Sequence, residues 1–267
     1  MLQKTILLFL FTLSLWSSEF KLDWYSWEGF CNYKKAQTSF FSKLTPTKRI
    51  FLSFSAQEIL QLKNNAYERA LLKDFFHDAK QNDIQIELLL GDESYIYPQN
   101  HEKLLALIDF FQNFPFKGVQ LDIEPSALPK EQHPLWRDEI INLVHKVKQH
   151  TPLALGLSIN HKIASHSLLQ ELHTAGLNEA VIMYYSINQK KVVQKLKNLL
   201  ENNQKLHFSL ALSIEPLSVL YQDETYALYG KKKSLQKWYT IANELSSYNN
   251  FVAVVIQSLK AFNKAKK

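Results

Sequence analysis

Short apolar runs alternate with longer stretches of helical periodicity along almost the whole chain. Eight runs read as strands, at 20–26, 49–55, 84–90, 118–124, 153–160, 180–186, 206–215 and 251–258. Between them, 33–44, 67–82, 101–113, 134–150, 167–174, 189–203 and 234–247 read as helices, and a short helix is expected after the eighth strand. A strand followed by a helix, repeated, calls for parallel pairing with helical crossovers. Eight such units in 267 residues fit an α/β fold with a single (β/α)8 TIM barrel over 19–267, the alternative being a doubly wound open sheet. Two strands favour the barrel. In 153–160, Leu153, Leu155, Leu157 and Ile159 share one face, and Ala154, Gly156, Ser158 and Asn160 the other. In 206–215, Phe208, Leu210, Leu212 and Ile214 lie opposite His207, Ser209, Ala211, Ser213 and Glu215. Helices take the apolar faces, and a narrow barrel interior takes the small and polar ones. No glycine-rich phosphate loop follows the first strand, which weakens a nucleotide-binding open sheet.

The fourth strand candidate ends in GVQLDIEP, residues 118–125. A strand's period of two puts Asp122 and Glu124 on one face. Adjacent acids repel, and burial penalises ionisation further, so one of them can hold a proton near neutral pH and act as a general acid in acetal hydrolysis. The plainer alternative is a strand ending in solvated acids. LSIEP at 212–216 echoes LDIEP at 121–125 and places a second Glu-Pro, with Glu215, at the end of the seventh strand. In a barrel the reactive groups stand at the carboxyl ends of the strands. There the chain places Trp24, Trp27, Ser55, Asp92, Glu93, Asp122, Glu124, Asn160, His161, Tyr184, Tyr185, Ser186, Glu215 and Gln257. Trp24 and Trp27 are candidates to stack on sugar rings, and Asn160 to hydrogen-bond one. No histidine and carboxylate cluster has metal-ligand spacing and no G-x-S-x-G elbow occurs, so metal-assisted hydrolysis and serine acyl transfer are weak readings.

Hydrophobic content of 46% suits one large core. Residues 1–18 carry a lone Lys4, an apolar run from Ile6 to Trp16 and then Ser17 and Ser18, which reads as a secretory signal peptide. The run falls short of the ~20 residues needed to span a bilayer, so the mature protein is expected to be secreted or periplasmic, without stable membrane insertion. Cys31 is the only cysteine, which excludes an intrachain disulfide and a thiolate metal site. The formal net charge of +6 is concentrated in Lys231, Lys232 and Lys233 and in Lys264, Lys266 and Lys267, a solvated surface without interleaved aromatics and without a nucleic-acid motif.

KGVQLDIE at 117–124 resembles the DGxDxDxE signature of family 18 glycoside hydrolases, the chitinase-like barrels, and MYYS at 183–186 is similar to that family's M-x-Y-D. The resemblance implies a (β/α)8 barrel without a cofactor that hydrolyses N-acetylhexosamine polymers, the sugar's own carbonyl oxygen serving as nucleophile. It implies that Glu124 protonates the glycosidic oxygen, that Asp122 orients the acetamido group and that Tyr185 helps hold it. Tyr184, Glu215 and Gln257 join Trp24, Trp27 and Asn160 as candidate substrate contacts. Lys117 and Gln120 stand where the signature has its first two aspartates, Ser186 replaces the aspartate after the tyrosine, and Gln257 stands where a tryptophan usually floors the sugar site. A second catalytic pairing joins Glu124 with Glu215 as acid/base and nucleophile. A non-catalytic, lectin-like glycan-binding barrel is the competing class, and a structural envelope protein with a basic tail a third.

Overall fold

The computed structural model describes residues 22–266 except 37, 38, 43, 45, 46, 126 and 127, so the expected leader lies outside the described residues. Eight parallel strands close into a barrel in sequence order: β1 (Leu22–Ser26), β2 (Thr47–Leu52), β3 (Gln85–Leu90), β4 (Gly118–Leu121), β5 (Ala154–Asn160), β6 (Glu179–Met183), β7 (His207–Ser213) and β8 (Phe251–Gln257). The ring closes where Asp23 and Trp24 of β1 register with Val255 and Ile256 of β8. The helices are α1 (Gly29–Ala36), α2 (Ser39–Ser42), α3 (Ala56–Asn64), α4 (Ala66–Gln81), α5 (His101–Phe111), α6 (His133–His150), α7 (His166–Thr174), α8 (Gln189–Asn202), α9 (Gly230–Leu245) and α10 (Leu259–Lys264). The fold is the single (β/α)8 barrel that the alternation predicts.

The faces divide as expected. Leu155, Leu157 and Ile159 of β5 and Phe208, Leu210 and Leu212 of β7 are fully buried against the helical layer. A smaller cluster of Tyr25, Phe51, Leu89, Val181, Met183, Ala211 and Val255 fills the interior, joined by Tyr185. A column of contacts runs up the axis: the Arg49 guanidinium lies over the Phe51 ring at 4.5 Å, Phe51 stacks on Tyr25 at 5.2 Å, and the Tyr25 hydroxyl bonds Ser158 Oγ at 2.7 Å.

Two local differences from the sequence reading have physical causes. Ser55, expected on the rim, accepts a hydrogen bond from the Glu58 N–H while Glu58 accepts one from Ser55's own N–H, a capping box that starts α3. That helix escapes the periodicity reading because Leu62 is its one fully buried residue. The fourth strand stops at Leu121, so Asp122 and Glu124 lie just past its end, on backbone still held to the barrel by Asp122 N–H donating to Leu90 O at 3.0 Å. No helix among the described residues is long and apolar enough to cross a membrane.

Candidate active site

Trp136 of α6 donates its indole N–H to Ile123 O at 2.9 Å, and the Ile123 side chain is fully buried against the helices. Pinning Ile123 outward leaves the side chains on either side of it, Asp122 and Glu124, to face the barrel mouth. Burial, with the charge of Glu93 beside it, raises the pKa of Glu124 above the ordinary carboxylate range. Burial, with the charges of Glu124 and Glu93, pushes Asp122 up to about 7, the Ser158 hydroxyl pulling the other way. Asp122 Oδ1 is out of solvent and has no hydrogen-bond partner among the described residues. Burial raises the Tyr185 phenol well above its usual range, and the next contributions come from Asp122, Glu124 and Glu215 in that order. These four side chains therefore share one mouth, and no lysine or arginine is among the charges acting on the three whose acidity is displaced.

The second catalytic pairing finds less support. The carboxylate acting on Glu124 is Glu93, while Glu215 acts on Tyr185 and accepts a hydrogen bond from Ser258 Oγ at 3.3 Å. The Glu215 backbone is fixed by Thr225 Oγ1 donating to its carbonyl at 2.5 Å and by its own N–H donating to Ser213 Oγ at 3.1 Å.

Two aromatic candidates do not reach the mouth. Trp24 is 3% exposed and packs outward, with its ring 6.3 Å from Trp238 and 4.7 Å from Phe262. The alternation of β1 sends Tyr25 inward and Trp24 into the helical layer. Tyr184, next to the inward Tyr185, likewise faces outward and stacks on His161 at 3.8 Å with an interplanar angle of 6°. Asn160 uses its side-chain oxygen to accept the Lys162 N–H at 3.1 Å, which anchors the turn after β5. Trp27 and Gln257 do stand together at the mouth, the Trp27 indole N–H donating to Gln257 Oε1 at 3.4 Å.

The replacements in the strand-four motif have different locations. Lys117 sits at the opposite, amino-terminal mouth, lining a cavity of about 330 Å3 with Arg49, Glu87 and Glu179. Gln120 is fully buried inside the barrel, where its Nε2 donates to Ser158 Oγ at 3.0 Å and its Oε1 has no partner among the described residues. Ser158 thus accepts from Gln120, bonds Tyr25 and stands against Asp122. The inward face of 153–160 was legible in the sequence, but the meeting of Tyr25, Gln120 and Ser158 under Asp122 was not, because those residues come from β1, β4 and β5.

Among the described residues no group of three or more His, Cys, Asp or Glu side chains is placed to hold a metal ion. Concavities of about 570 and 520 Å3 lie on the outer helical layer, lined largely by α6, α7 and α8, and none of the mouth acids borders them.

No family profile and no curated protein matches the sequence. Solved structures do match the fold. A chitinase from Bacteroides thetaiotaomicron superposes with a TM-score of 0.57 at 13% identity, over 91% of this chain and 90% of that one. A chitinase-like lectin from tamarind gives 0.54 at 13% identity, over 92% and 99%. The PgaB (BpsB) glycoside hydrolase domain from Bordetella bronchiseptica gives 0.53 at 7% identity, over 91% and 95%. At these identities the likeness is one of fold. A barrel of this fold serves a chitinase in one of these matches and a lectin in another.

Proposed function

We propose that this barrel hydrolyses a glycosidic bond in an N-acetylated polysaccharide of the cell envelope or extracellular space, with Glu124 as general acid. The observation that carries the reading is the convergence of Asp122, Glu124 and Tyr185 at the carboxyl end of the barrel without a compensating cation. An alkoxide is a poor leaving group, so the glycosidic oxygen must receive a proton as its bond to the anomeric carbon breaks. Glu124, whose hold on its proton is strengthened by burial and by Glu93, suits that donation. Asp122, one position inward on the same face, would accept the acetamido N–H and aim its carbonyl oxygen at the anomeric carbon. The Tyr185 hydroxyl would donate to that oxygen. Water, deprotonated by Glu124, would then open the cyclic intermediate with retention. The apolar leader over 1–18 supports a secreted or periplasmic location.

A lectin-like barrel is the second reading, favoured by Gln120, whose amide is committed to Ser158 and cannot share a proton with Asp122 as a carboxylate would. Chitin oligosaccharides, peptidoglycan and polygalactosaminide distinguish the two. Turnover of one of them, abolished in Glu124→Gln, supports the hydrolase; binding without turnover by the unaltered chain supports the lectin.

A further inference from the structure

Outside the mouth, where Tyr184 turns away from Tyr185, lies a basic concavity to which the proposed chemistry gives no task. Tyr184, Lys190, Lys191, Gln194, Lys195 and Asn198 line a space of about 550 Å3 bordered by the end of β6 and one face of α8. Its aromatic wall is fixed. The Tyr184 ring stacks on His161 at 3.8 Å, and Met183 O accepts both the His161 Nδ1–H at 3.2 Å and the His161 backbone N–H at 3.1 Å. Burial, with the charges of Lys162 and Lys195, holds the imidazole below its usual range against the pull of the Met183 carbonyl, and no carboxylate is among the charges acting on it. A solvated helix face does not account for this arrangement. Residues 189–198 hold four lysines and no acid, and α8 opens with Lys190 and Lys191, where the helix dipole favours anions. Lys191 and Lys195 stand four residues apart, a spacing at which like charges repel. None of the ion pairs among the described residues uses Lys162, Lys190, Lys191 or Lys195.

Tyr184 and Tyr185 are consecutive, so the concavity and the acidic mouth lie on opposite sides of one strand end. A chain with one unit at Asp122 and Glu124 and the next units beyond the end of β6 meets both. The acids of the mouth repel an anionic unit and the lysines attract it, so the two fields together fix which unit of a charged chain enters the mouth. We infer that this concavity binds an anionic group of the glycan, a carboxylate or a phosphate carried by a unit outside the mouth, with Lys190, Lys191 and Lys195 as its counter-charges. The inference rests on the glycan reading and specifies the charge of the substrate: a negatively charged chain in preference to a neutral one. An ammonium is a compact point charge without the planar fork of a guanidinium, so the cluster suits either anion.

Calorimetric titration of the Glu124→Gln protein tests the site without turnover. The probes are a hexamer of N-acetylglucosamine, a peptidoglycan strand oligomer with free lactyl carboxylates, the same oligomer with those carboxyls converted to amides, and a glycerol phosphate oligomer. The carboxylate or the phosphate oligomer is expected to bind about 10-fold more tightly than the amidated one, and the tighter of the two identifies the anion. Raising the salt concentration from about 20 mM to about 300 mM is expected to shrink that preference, because exposed charges are screened. Adding Lys190→Gln, Lys191→Gln and Lys195→Gln together is expected to bring it to about 1. A preference for the anionic oligomers that survives the three lysine changes, or equal binding of charged and amidated oligomers at low salt, would overturn the site. In the unaltered chain, turnover of the neutral hexamer as fast as that of the carboxylate oligomer would overturn the anionic site and leave the hydrolase reading standing. A charge preference that the lysine changes abolish, with no probe turned over by the unaltered chain, would uphold the site and overturn the hydrolase reading. Failure of every probe to bind would overturn both.

Discussion

The two ends of the barrel interior are both acidic, but only one of them carries its own counter-charge. At the amino-terminal end Arg49 is 6% exposed and meets three carboxylates. Glu179 takes it in bidentate fashion at 2.6 and 2.7 Å, Asp23 accepts at 2.8 Å and Glu87 at 3.0 Å, while Ser209 Oγ donates to Glu179 at 2.5 Å. Burial works against ionisation of Glu179, but Arg49 and Ser209 offset it and hold that carboxyl below the usual range. Burial raises Asp23 to about 6 and Glu87 to about 7, with Arg49 opposing it in both. One guanidinium among three acids thus leaves one firmly ionised and two that keep a proton until near neutrality. At the carboxyl end no cation is among the charges acting on Asp122, Glu124 or Tyr185, and Asp122 Oδ1 has no partner among the described residues. Charge paired by a buried cation serves the fold; charge left unpaired beside an accessible mouth is a cost that chemistry or binding explains.

Removing the cation gives the largest expected effect. Arg49→Met strands three buried carboxyls and is expected to destabilise the protein by roughly 3–5 kcal/mol, lowering Tm on the order of 10 °C at pH 8. At pH 5 the loss should be smaller, because Asp23 and Glu87 are then protonated and need no counter-charge. A thermal melt at both pH values checks this, and a variant as stable as the parent at pH 8 would break the contrast between the two ends.

The opposite sign is expected at the carboxyl end. The folded-state pKa of Asp122 lies above its value of 3.8 in a free chain, so its protonated form stabilises the fold at low pH and that contribution is lost as pH rises through about 7. Asp122→Asn removes the unpaired charge and is expected to raise stability by about 2 kcal/mol at pH 8, with little change near pH 4, while turnover falls. Denaturant melts across that range give the comparison. A loss of stability at pH 8 would mean that the Asp122 carboxylate is well compensated after all.

Glu215→Gln sharpens the contrast with the smallest effect. It keeps an acceptor for Ser258 and lies beside Tyr185 with Glu93, not Glu215, acting on Glu124, so a change within about 0.5 kcal/mol in stability is expected. Its turnover should fall less than that of Glu124→Gln. A collapse of activity equal to that of Glu124→Gln would restore the Glu124 and Glu215 pairing.

The barrel was legible in the chain because helical and strand periods alternate eight times, and the inward faces of β5 and β7 could be read from their small and polar residues. The same period of two, applied to LDWYS and to MYYS, separates Trp24 from Tyr25 and Tyr184 from Tyr185; taken as aromatic clusters, those segments lose the distinction. Asp122 and Glu124 were found because their alternation sits at a strand end. The Arg49 cluster was out of reach, since Asp23, Arg49, Glu87 and Glu179 come from β1, β2, β3 and β6 and meet only once the strands close and the side chains share a layer.

The central claim is that the unpaired acids at the carboxyl end perform acid catalysis on a glycan. Release of reducing ends from N-acetylated polysaccharides, measured from pH 4 to pH 9 for the unaltered chain and for Glu124→Gln, tests it most directly. The account predicts activity in the unaltered chain that declines as pH rises through the elevated range of the mouth acids, and a loss of about 10³-fold or more in Glu124→Gln at every pH, with binding retained. Turnover by Glu124→Gln within a few fold of the unaltered chain would contradict it.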